Sequence, residues 1–315
     1  MKQVKAKPFL KWAGGKTQLL PKIKEHLPEG VLSGEINHYI EPFVGSGAVL
    51  FDLIQAEEFR LNQAYIWDVN PELINVYKVI KSEQVTDLIM YLSQKEQQYN
   101  RTEDSIVRKD IYLGVRSKFN NDLDTFEANP TEDFLVERAS EFIFLNRTCF
   151  NGLYRVNRAG KFNVPMGSYK KPTICDEKNL LAVHELLQRV EIAEPGTYKE
   201  SISTIESILS SGQHPFVYFD PPYRPLNVSS SFTSYSKFDF NDEDQVELAN
   251  YYKHLDKLGV NLMLSNSDPK NTNEEDNFFD DLYKHFRINR VHARRNINSK
   301  AEKRGQITEL LITNY

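Results

Sequence analysis

The chain has few cysteines and no long hydrophobic run. Only Cys149 and Cys175 occur among its 315 residues, and no paired spacing typical of a zinc site is present. This argues against a disulfide scaffold and a zinc site, and it favours a reducing cytoplasm. No apolar run approaches the roughly 18 residues of a membrane span, and the lysine-rich start lacks the apolar core of a secretory leader. We therefore expect a cytoplasmic protein that binds neither a metal nor a membrane.

Two nucleotide-binding motifs are suggested by short stretches but are incomplete. Residues 15–17 read Gly-Lys-Thr, yet a P-loop needs glycine five residues earlier, where Leu10 stands, and no strand precedes it. Residues 45–47 read Gly-Ser-Gly, but a dinucleotide fingerprint would have glycine or alanine at Leu50. The second turn still allows close backbone approach to a nucleoside-like cofactor.

Basic residues are concentrated in three stretches of a chain whose net charge is −5. Residues 1–24 hold seven lysines and no acid, residues 146–172 hold six basic residues and no acid, and residues 284–304 hold eight basic residues and one acid. An acidic body with basic stretches can bind a phosphate backbone locally. A nucleic-acid partner is therefore compatible with the net charge.

The residues Asp220, Pro221, Pro222 and Tyr223 follow an apolar run at 216–219. That run predicts a buried strand, and the prolines end it because they cannot donate to a ladder. Open α/β sheets place ligands at the carboxyl ends of their strands. A carboxylate, an exposed carbonyl and a flat ring suit a planar base that bears an amino group. These four residues are our predicted catalytic residues.

A second strand-turn-helix unit spans residues 39–54 and contains the Gly-Ser-Gly turn. Asp68 ends another apolar strand about 20 residues later, a separation at which an acid reaches ribose hydroxyls. An alternative for Asp68 is a helix N-cap before Pro71. The unit favours a nucleoside-like cofactor at the carboxyl ends of these strands.

Residues 76–174 differ from the flanking sequence, and we predict an inserted helical domain between the two parts of a catalytic domain, residues 1–75 and 175–315. Apolar residues recur at helical spacing, with Thr131 as a candidate N-cap for the second stripe. The stripes are Val85, Leu88, Ile89 and Leu92, then Leu135, Ala139, Phe142 and Ile143. Within residues 146–172, basic, aromatic and asparagine residues interleave, a mixture suited to base contacts in DNA.

The carboxyl-terminal third contains further predicted elements. We expect a mobile serine-rich lid at residues 224–238, a helix at 242–257 and a basic hairpin arm at 294–305. Three further strands are predicted, at Val260–Leu264, Ile288–His292 and Ile307–Thr313.

Taken together, the ordered motifs resemble those of Dam-type DNA adenine-N6 methyltransferases over nearly the whole chain. They are Phe-Leu-Lys-Trp-Ala-Gly-Gly-Lys at 9–16, Glu-Pro-Phe-Val-Gly-Ser-Gly at 41–47, Trp-Asp-Val-Asn at 67–70, Asn-Gly-Leu-Tyr-Arg-Val-Asn at 151–157, Phe-Asn-Val-Pro at 162–165, the tetrad at 220–223 and the ending at 304–315. The resemblance implies an α/β fold: a doubly wound, mostly parallel seven-stranded Rossmann-like sheet with an inserted helical target-recognition domain.

The resemblance also implies S-adenosyl-L-methionine as cofactor. Matching positions for its pocket are Trp12, Ala13, Gly14, Lys16, Glu41, Pro42, Phe43, Gly45, Ser46, Gly47, Asp68, Asn70, Ser201, Ile202 and Asp220. Of these, Ser201 and Ile202 match the family's adenine-contacting turn only loosely.

Double-stranded DNA is the implied partner. The matching DNA contacts are Lys11, Phe150, Asn151, Gly152, Leu153, Arg155, Asn157, Pro165 and Tyr169. Ser168 departs from an arginine of some relatives, which puts one backbone contact in doubt. We expect a monomer that methylates GATC and can be paired with a restriction endonuclease. The alternatives are an RNA adenine-N6 methyltransferase, a nicotinamide-dependent oxidoreductase and a non-catalytic DNA-binding protein.

Overall fold

Seven strands form one sheet in the computed structural model, which describes residues 4–12, 14–128, 130–224, 240–294 and 306–315. The strands are β1 Ile36–Glu41, β2 Gln63–Ile66, β3 Val190–Ile192, β4 His214–Phe219, β5 Asn261–Ser267, β6 Arg287–Arg294 and β7 Gln306–Thr313. Their spatial order is β3-β2-β1-β4-β5-β7-β6. Only the two pairs made by β7 are antiparallel. The predicted mostly parallel seven-stranded sheet is confirmed.

Twelve α-helices lie in the same described residues. They are α1 Leu20–Glu25, α2 Glu29–Ser33, α3 Ala48–Ile54, α4 Pro71–Lys81, α5 Val85–Asn100, α6 Ser105–Asn121, α7 Leu123–Ala128, α8 Glu132–Thr148, α9 Glu177–Leu187, α10 Ser201–Ser210, α11 Asp242–Lys257 and α12 Phe278–Leu282. None of these helices is long and apolar enough to cross a membrane.

Both faces of the sheet are buried, as a doubly wound fold requires. Successive side chains of a strand point to opposite faces. Accordingly, Tyr39 of β1 and Phe216 of β4 belong to one core cluster, while their neighbours Ile40 and Val217 belong to the other. Helices α3, α4 and α9 cover the first face, and α10, α11 and α12 cover the second.

The helices α5 to α8 extend the core of the first face. Six of the eight predicted stripe residues are buried, and Ile89 and Leu135 are partly buried against the same core. The Thr131 hydroxyl caps α8 by accepting from the Phe134 amide at 3.3 Å. A buried ion pair also joins α8 to α4, because Arg138 Nε donates to the Glu72 carboxylate at 3.0 and 3.1 Å. This pair ties the helical segment directly to the sheet-covering helices.

The direction of chain progression reverses between β1 and β4. From β1 the chain moves outward to β2 and β3, and from β4 it moves the other way to β5. A crevice forms outside the carboxyl ends of the strands at such a point. Residues 225–238 of the predicted lid and residues 295–305 of the predicted arm lie outside the described residues.

Candidate active site

A cavity of about 1030 Å³ lies at this crevice. Pockets for one small ligand span about 300–1,000 Å³, so this cavity is at the upper end of that range. Most residues predicted from the sequence for the cofactor and for catalysis line it. They are Trp12, Gly14, Lys16, Glu41, Phe43, Gly45, Ser46, Asp68, Asn70, Asp220, Pro221, Pro222 and Tyr223, and Arg155, a predicted DNA contact, lines the cavity as well.

Four predicted pocket residues are not in the lining: Pro42, Gly47, Ser201 and Ile202. The Ser201 hydroxyl is buried and donates to the carbonyl of Tyr198 at 2.6 Å. Ala13 lies outside the described residues.

Residues 197–199 line the cavity just before α10, and the sequence did not predict them. They follow β3, a strand of three residues that is too short for a periodic pattern. Had β3 been recognised, its carboxyl end would have placed this turn at the same edge of the sheet. The aromatic ring of Tyr198 packs against Phe43 with ring centroids 5.6 Å apart.

The loops after β1 and β2 are fastened to each other. The Gly45 amide donates to Asp68 Oδ2 at 3.1 Å, and the Asn70 amide donates to Asp68 Oδ1 at 2.9 Å. Gly45 has a positive φ of 49°, and a Cβ there would lie 3.1 Å from the Trp12 ring. Burial raises the pKa of Asp68 to about 6 although the backbone amides oppose this. The turn therefore holds a carboxylate and an indole close to bare backbone.

The N-cap alternative for Asp68 is wrong. The cap of α4 is Asn70, whose side-chain oxygen accepts from the amides of Glu72 and Leu73 at 3.0 and 3.3 Å. Each Asp68 oxygen has a further lone pair available for a ligand.

The Asp220 side chain is fixed at one of its two oxygens. Oδ1 accepts from Lys16 Nζ at 2.7 Å and from the Ser265 hydroxyl at 2.9 Å. The hydroxyls of Tyr218 and Ser265 are in turn 2.9 Å apart. Oδ2 accepts no hydrogen bond from the part of the chain that the structure describes. Burial raises the pKa of Asp220, while Lys16 and Ser265 oppose that rise.

The two proline carbonyls of the tetrad differ in their partners. The Pro222 carbonyl accepts from Gln245 Nε2 at 3.0 Å, and Gln245 Oε1 accepts from Asn266 Nδ2 at 3.1 Å. The Asn266 side-chain oxygen also accepts from the Arg224 amide at 3.3 Å. No donor among the described residues reaches the Pro221 carbonyl. The network holds the backbone on both sides of Tyr223 and leaves the Pro221 oxygen available.

The ring of Tyr223 is held at its far end. Its hydroxyl donates to Glu309 Oε2 at 2.7 Å, and Lys16 Nζ lies 4.3 Å from the ring centroid. Burial raises the pKa of Tyr223 well above its ordinary value, and the carboxylates of Asp220 and Glu309 add to this, so the hydroxyl stays a donor.

All the predicted DNA contacts except Lys11 lie on one compact segment, residues 146–172. The Phe150 amide donates to the Pro165 carbonyl at 2.8 Å, and short bridges pair residues 149 with 166 and 156 with 162. Phe150 and Leu153 are 52% and 39% exposed. Asn157 instead uses its side-chain oxygen within the turn, where it accepts from the amides of residues 159 and 161.

Arg155 and Tyr169 are each held by one neighbour. Arg155 Nε donates to Asn163 Oδ1 at 2.7 Å, and Lys11 Nζ lies 3.6 Å from the centroid of the Tyr169 ring. The guanidinium of Arg155 thus keeps its terminal nitrogens for another acceptor.

Asn146 fastens this segment to the amino-terminal residues 9–12. Its side-chain oxygen accepts from the Lys11 amide at 2.8 Å, and Nδ2 donates to the carbonyls of Lys11 and Gly152 at 2.7 and 2.9 Å. A Cβ at Gly152 would lie 2.3 Å from the Lys11 side chain, so glycine is needed for packing there. Nearby, Trp12 and Tyr154 stack at 6.0 Å and 17°, which joins the segment to the cavity wall.

Comparison with known proteins gives one consistent result. The model of the D12 class N6 adenine-specific DNA methyltransferases matches residues 12–297. The type II methyltransferase M.MjaIII of Methanocaldococcus jannaschii is 48% identical over 99% of this chain and 100% of its own. The type II methyltransferase M1.LlaDCHI of Lactococcus lactis subsp. cremoris is 38% identical over 99% and 97%. The DNA adenine methylase of Escherichia coli K12 is 33% identical over 98% and 95%.

Proposed function

The chain belongs to the D12 class N6 adenine-specific DNA methyltransferases, and from this premise we propose its donor, its target and the work of its residues. The donor is S-adenosyl-L-methionine, and the target is an adenine displaced from duplex DNA, in the sequence GATC. Residues 76–174 serve as the target-recognition domain, and the two flanking parts of the chain form the catalytic domain. Family membership decides against the RNA methyltransferase and the nicotinamide oxidoreductase as the activity.

One observation carries the catalytic proposal: two acceptor atoms at the sheet edge have no donor among the described residues. These are Asp220 Oδ2 and the carbonyl oxygen of Pro221. An adenine amino group has two hydrogens to donate. The neighbouring acceptors, Asp220 Oδ1 and the Pro222 carbonyl, already have donors in Lys16, Ser265 and Gln245. The two acceptors at the sheet edge can therefore accept the two hydrogens of one amino group.

The acceptors address the chemical weakness of the target. The lone pair of adenine N6 is delocalised into the ring, so the amine is a poor nucleophile. When Asp220 and Pro221 accept both hydrogens, the nitrogen moves toward a tetrahedral geometry and its lone pair is localised. The Asp220 carboxylate also stabilises the positive charge that develops on N6, and removal of such a group costs about 3–4 kcal/mol in comparable sites.

Tyr223 stacks on the displaced base in this proposal. Base displacement costs a few kcal/mol of unstacking, which a stacking partner offsets in part. Lys16 Nζ lies over the Tyr223 ring, 4.3 Å from its centroid, and 2.7 Å from Asp220 Oδ1, so its charge favours the ionised form of Asp220.

The loops after β1 and β2 fit S-adenosyl-L-methionine. This cofactor supplies a methyl group on a positively charged sulfur, which an amine lone pair can attack. Asp68 offers lone pairs to ribose hydroxyls. Gly45 packs closely against the Trp12 ring, and both residues line the cavity. Tyr198 also lines the cavity, where its ring packs against Phe43 with centroids 5.6 Å apart.

Residues 146–172 contact the duplex. The exposed Phe150 fills the space left by the displaced base, with Asn151 beside it, and Leu153 and Pro165 contact base edges. Arg155 reads guanine with its two terminal nitrogens, since Nε is already bonded to Asn163. Lys11 and Tyr169 contact flanking DNA.

Methylation mapping tests the proposal. The gene is expressed in a host without adenine methylation, and the genomic DNA is sequenced with detection of modified adenine. Purified protein is also given tritiated S-adenosyl-L-methionine with the same DNA or with RNA. We expect label in duplex DNA and modified adenine in GATC. Modification at another sequence would overturn the target alone, and binding without methyl transfer would favour the non-catalytic DNA-binding alternative.

A further inference from the structure

Glu309 is an acid in an unusual place. It lies in β7, whose residues are otherwise apolar or neutral, and β7 is paired on both sides. Glu309 is opposite Ser267 of β5 and Val291 of β6. Glu309 is partly buried, and burial of a carboxylate costs stability unless it is hydrogen-bonded. No lysine or arginine in the described part of the chain forms an ion pair with Glu309, so its bond from the Tyr223 hydroxyl is informative.

Hydrogen bonds on both sides of Tyr223 fix its backbone, so that only its side-chain torsions remain to be fixed. Gln245 holds the carbonyl of the preceding residue, and Asn266 holds the amide of the following one. A tyrosine side chain has two rotatable torsions. The bond of 2.7 Å to Glu309 fixes the far end of the ring, and a hydrogen bond to an ionised acceptor is stronger than one between neutral groups.

We propose that Glu309 is a positioning residue, which holds the Tyr223 ring at the orientation that receives the displaced adenine. This inference rests on the proposed function of the tetrad. Glu309 acts through Tyr223 and does not touch the reacting atoms. Its own position is fixed by the ladders on both sides and by the adjacent Thr308, whose hydroxyl donates to Asp268 at 2.7 Å.

The test compares Glu309→Leu, Glu309→Gln, Tyr223→Phe and the Tyr223→Phe/Glu309→Leu double variant. Single-turnover methylation is measured on genomic DNA from a host without adenine methylation, together with KM for S-adenosyl-L-methionine and the thermal midpoint. E309L and Y223F should each lower the rate about tenfold, which corresponds to ~1.4 kcal/mol. The double variant should be no slower than either single variant, because all three lack the same bond.

Glu309→Gln is the matched control, since its side-chain oxygen can still accept from the tyrosine hydroxyl. It should stay within about threefold of the wild-type rate, and KM for the cofactor should be unchanged in every variant. A merely structural role would lower the thermal midpoint of E309L and leave its rate unchanged. That result, or a double variant slowed by the product of the two single effects, would overturn the inference.

Tyr223→Phe covers the case in which E309L does not fold, because it keeps both the ring and Glu309. A wild-type rate for Y223F would then overturn the inference by itself. Failure of the underlying function is distinguishable: wild-type protein would transfer no methyl group to DNA. An active wild-type protein with an equally active E309L would overturn the role of Glu309 alone.

Discussion

The carboxyl edge of the sheet and the recognition segment of residues 146–172 fix different parts of the chain. At the sheet edge the side chains themselves are tied: Asp220 by Lys16 and Ser265, and Tyr223 by Glu309. In the recognition segment the backbone is tied, while side chains such as Phe150 remain exposed. Chemistry needs reacting groups in place before the substrate arrives, whereas contact with a duplex needs accessible side chains on a firm backbone.

The largest loss of methyl-transfer rate should come from a substitution of Asp220, at the carboxyl edge of the sheet. Asp220→Ala removes an acceptor of the target amino group and the charge that stabilises N6. We expect methyl transfer to fall by at least about a thousandfold. DNA affinity, measured by fluorescence anisotropy, should stay within about tenfold, because binding depends on the other region.

The matched control is Asp110→Ala, which removes an exposed carboxylate from α6. It should leave the rate unchanged. Near-normal turnover by D220A would contradict the assignment of catalysis to the sheet edge and of DNA contact to residues 146–172.

The next largest effect should be a loss of folding stability when Asn146 is replaced, because its side chain joins residues 146–172 to the backbone of Lys11. Asn146→Leu leaves two groups of Lys11 and the carbonyl of Gly152 without their partner. Each buried group left unpaired costs about 1–3 kcal/mol, so we expect the free energy of unfolding to fall by about 3 kcal/mol. Urea denaturation measures this, and DNA affinity should fall with it.

Asn121→Leu, at an exposed position of α6, is the control for N146L. A stability loss confined to N146L supports a tied backbone. Equal stability of N146L and the wild-type protein would contradict it.

Phe150→Ala should have a smaller effect, which is on kcat/KM with duplex DNA, and should hardly change the free energy of unfolding. Because the side chain is 52% exposed, the free energy of unfolding should change by about 0.5 kcal/mol or less. Loss of the ring beside the displaced base should lower kcat/KM on duplex DNA about tenfold. Ile106→Ala removes another exposed apolar side chain, 69% exposed on α6, and should change neither quantity. A large loss of stability in F150A would contradict this, because it would mean that the Phe150 side chain packs against the protein.

The smallest effect concerns pH. The pKa of Asp220 is raised by burial, and Lys16 opposes the rise. Asp220 must be ionised to accept, so activity is present above its raised pKa and is lost as the pH falls through it. Lys16→Met should therefore raise the pKa of Asp220 further and move the acid limb of the kcat profile to higher pH. Lys22→Met, at an exposed lysine of α1, is the control. A downward move would contradict the tie between Lys16 and Asp220.

Consecutive residues at strand ends could be predicted from the sequence. The tetrad and the Gly-Ser-Gly turn each follow a recognisable apolar run. All four residues of the tetrad line the cavity, and so do Gly45 and Ser46 of the turn. Asp68 was found for the same reason. Short motifs of this kind can be placed from the sequence, because the strand that positions them is adjacent in the chain.

Residues that act through distant partners left no local signal. Glu309 meets Tyr223 across 86 residues, and Asn146 meets Lys11 across 135. Such pairs depend on register between strands and on helix packing, which periodicity does not fix. The turn at residues 197–199 was missed because β3 is only three residues long. Ser201 was assigned to the pocket instead, although its hydroxyl is buried against Tyr198.

A crystal structure of the protein with duplex DNA and a non-reactive cofactor analogue tests the central claim most directly. The account predicts a displaced adenine whose N6 lies about 3 Å from both Asp220 Oδ2 and the Pro221 carbonyl oxygen. It also predicts that the base stacks on Tyr223. An adenine bound with N6 turned away from these two acceptors, or left within the duplex in a reactive complex, would contradict it.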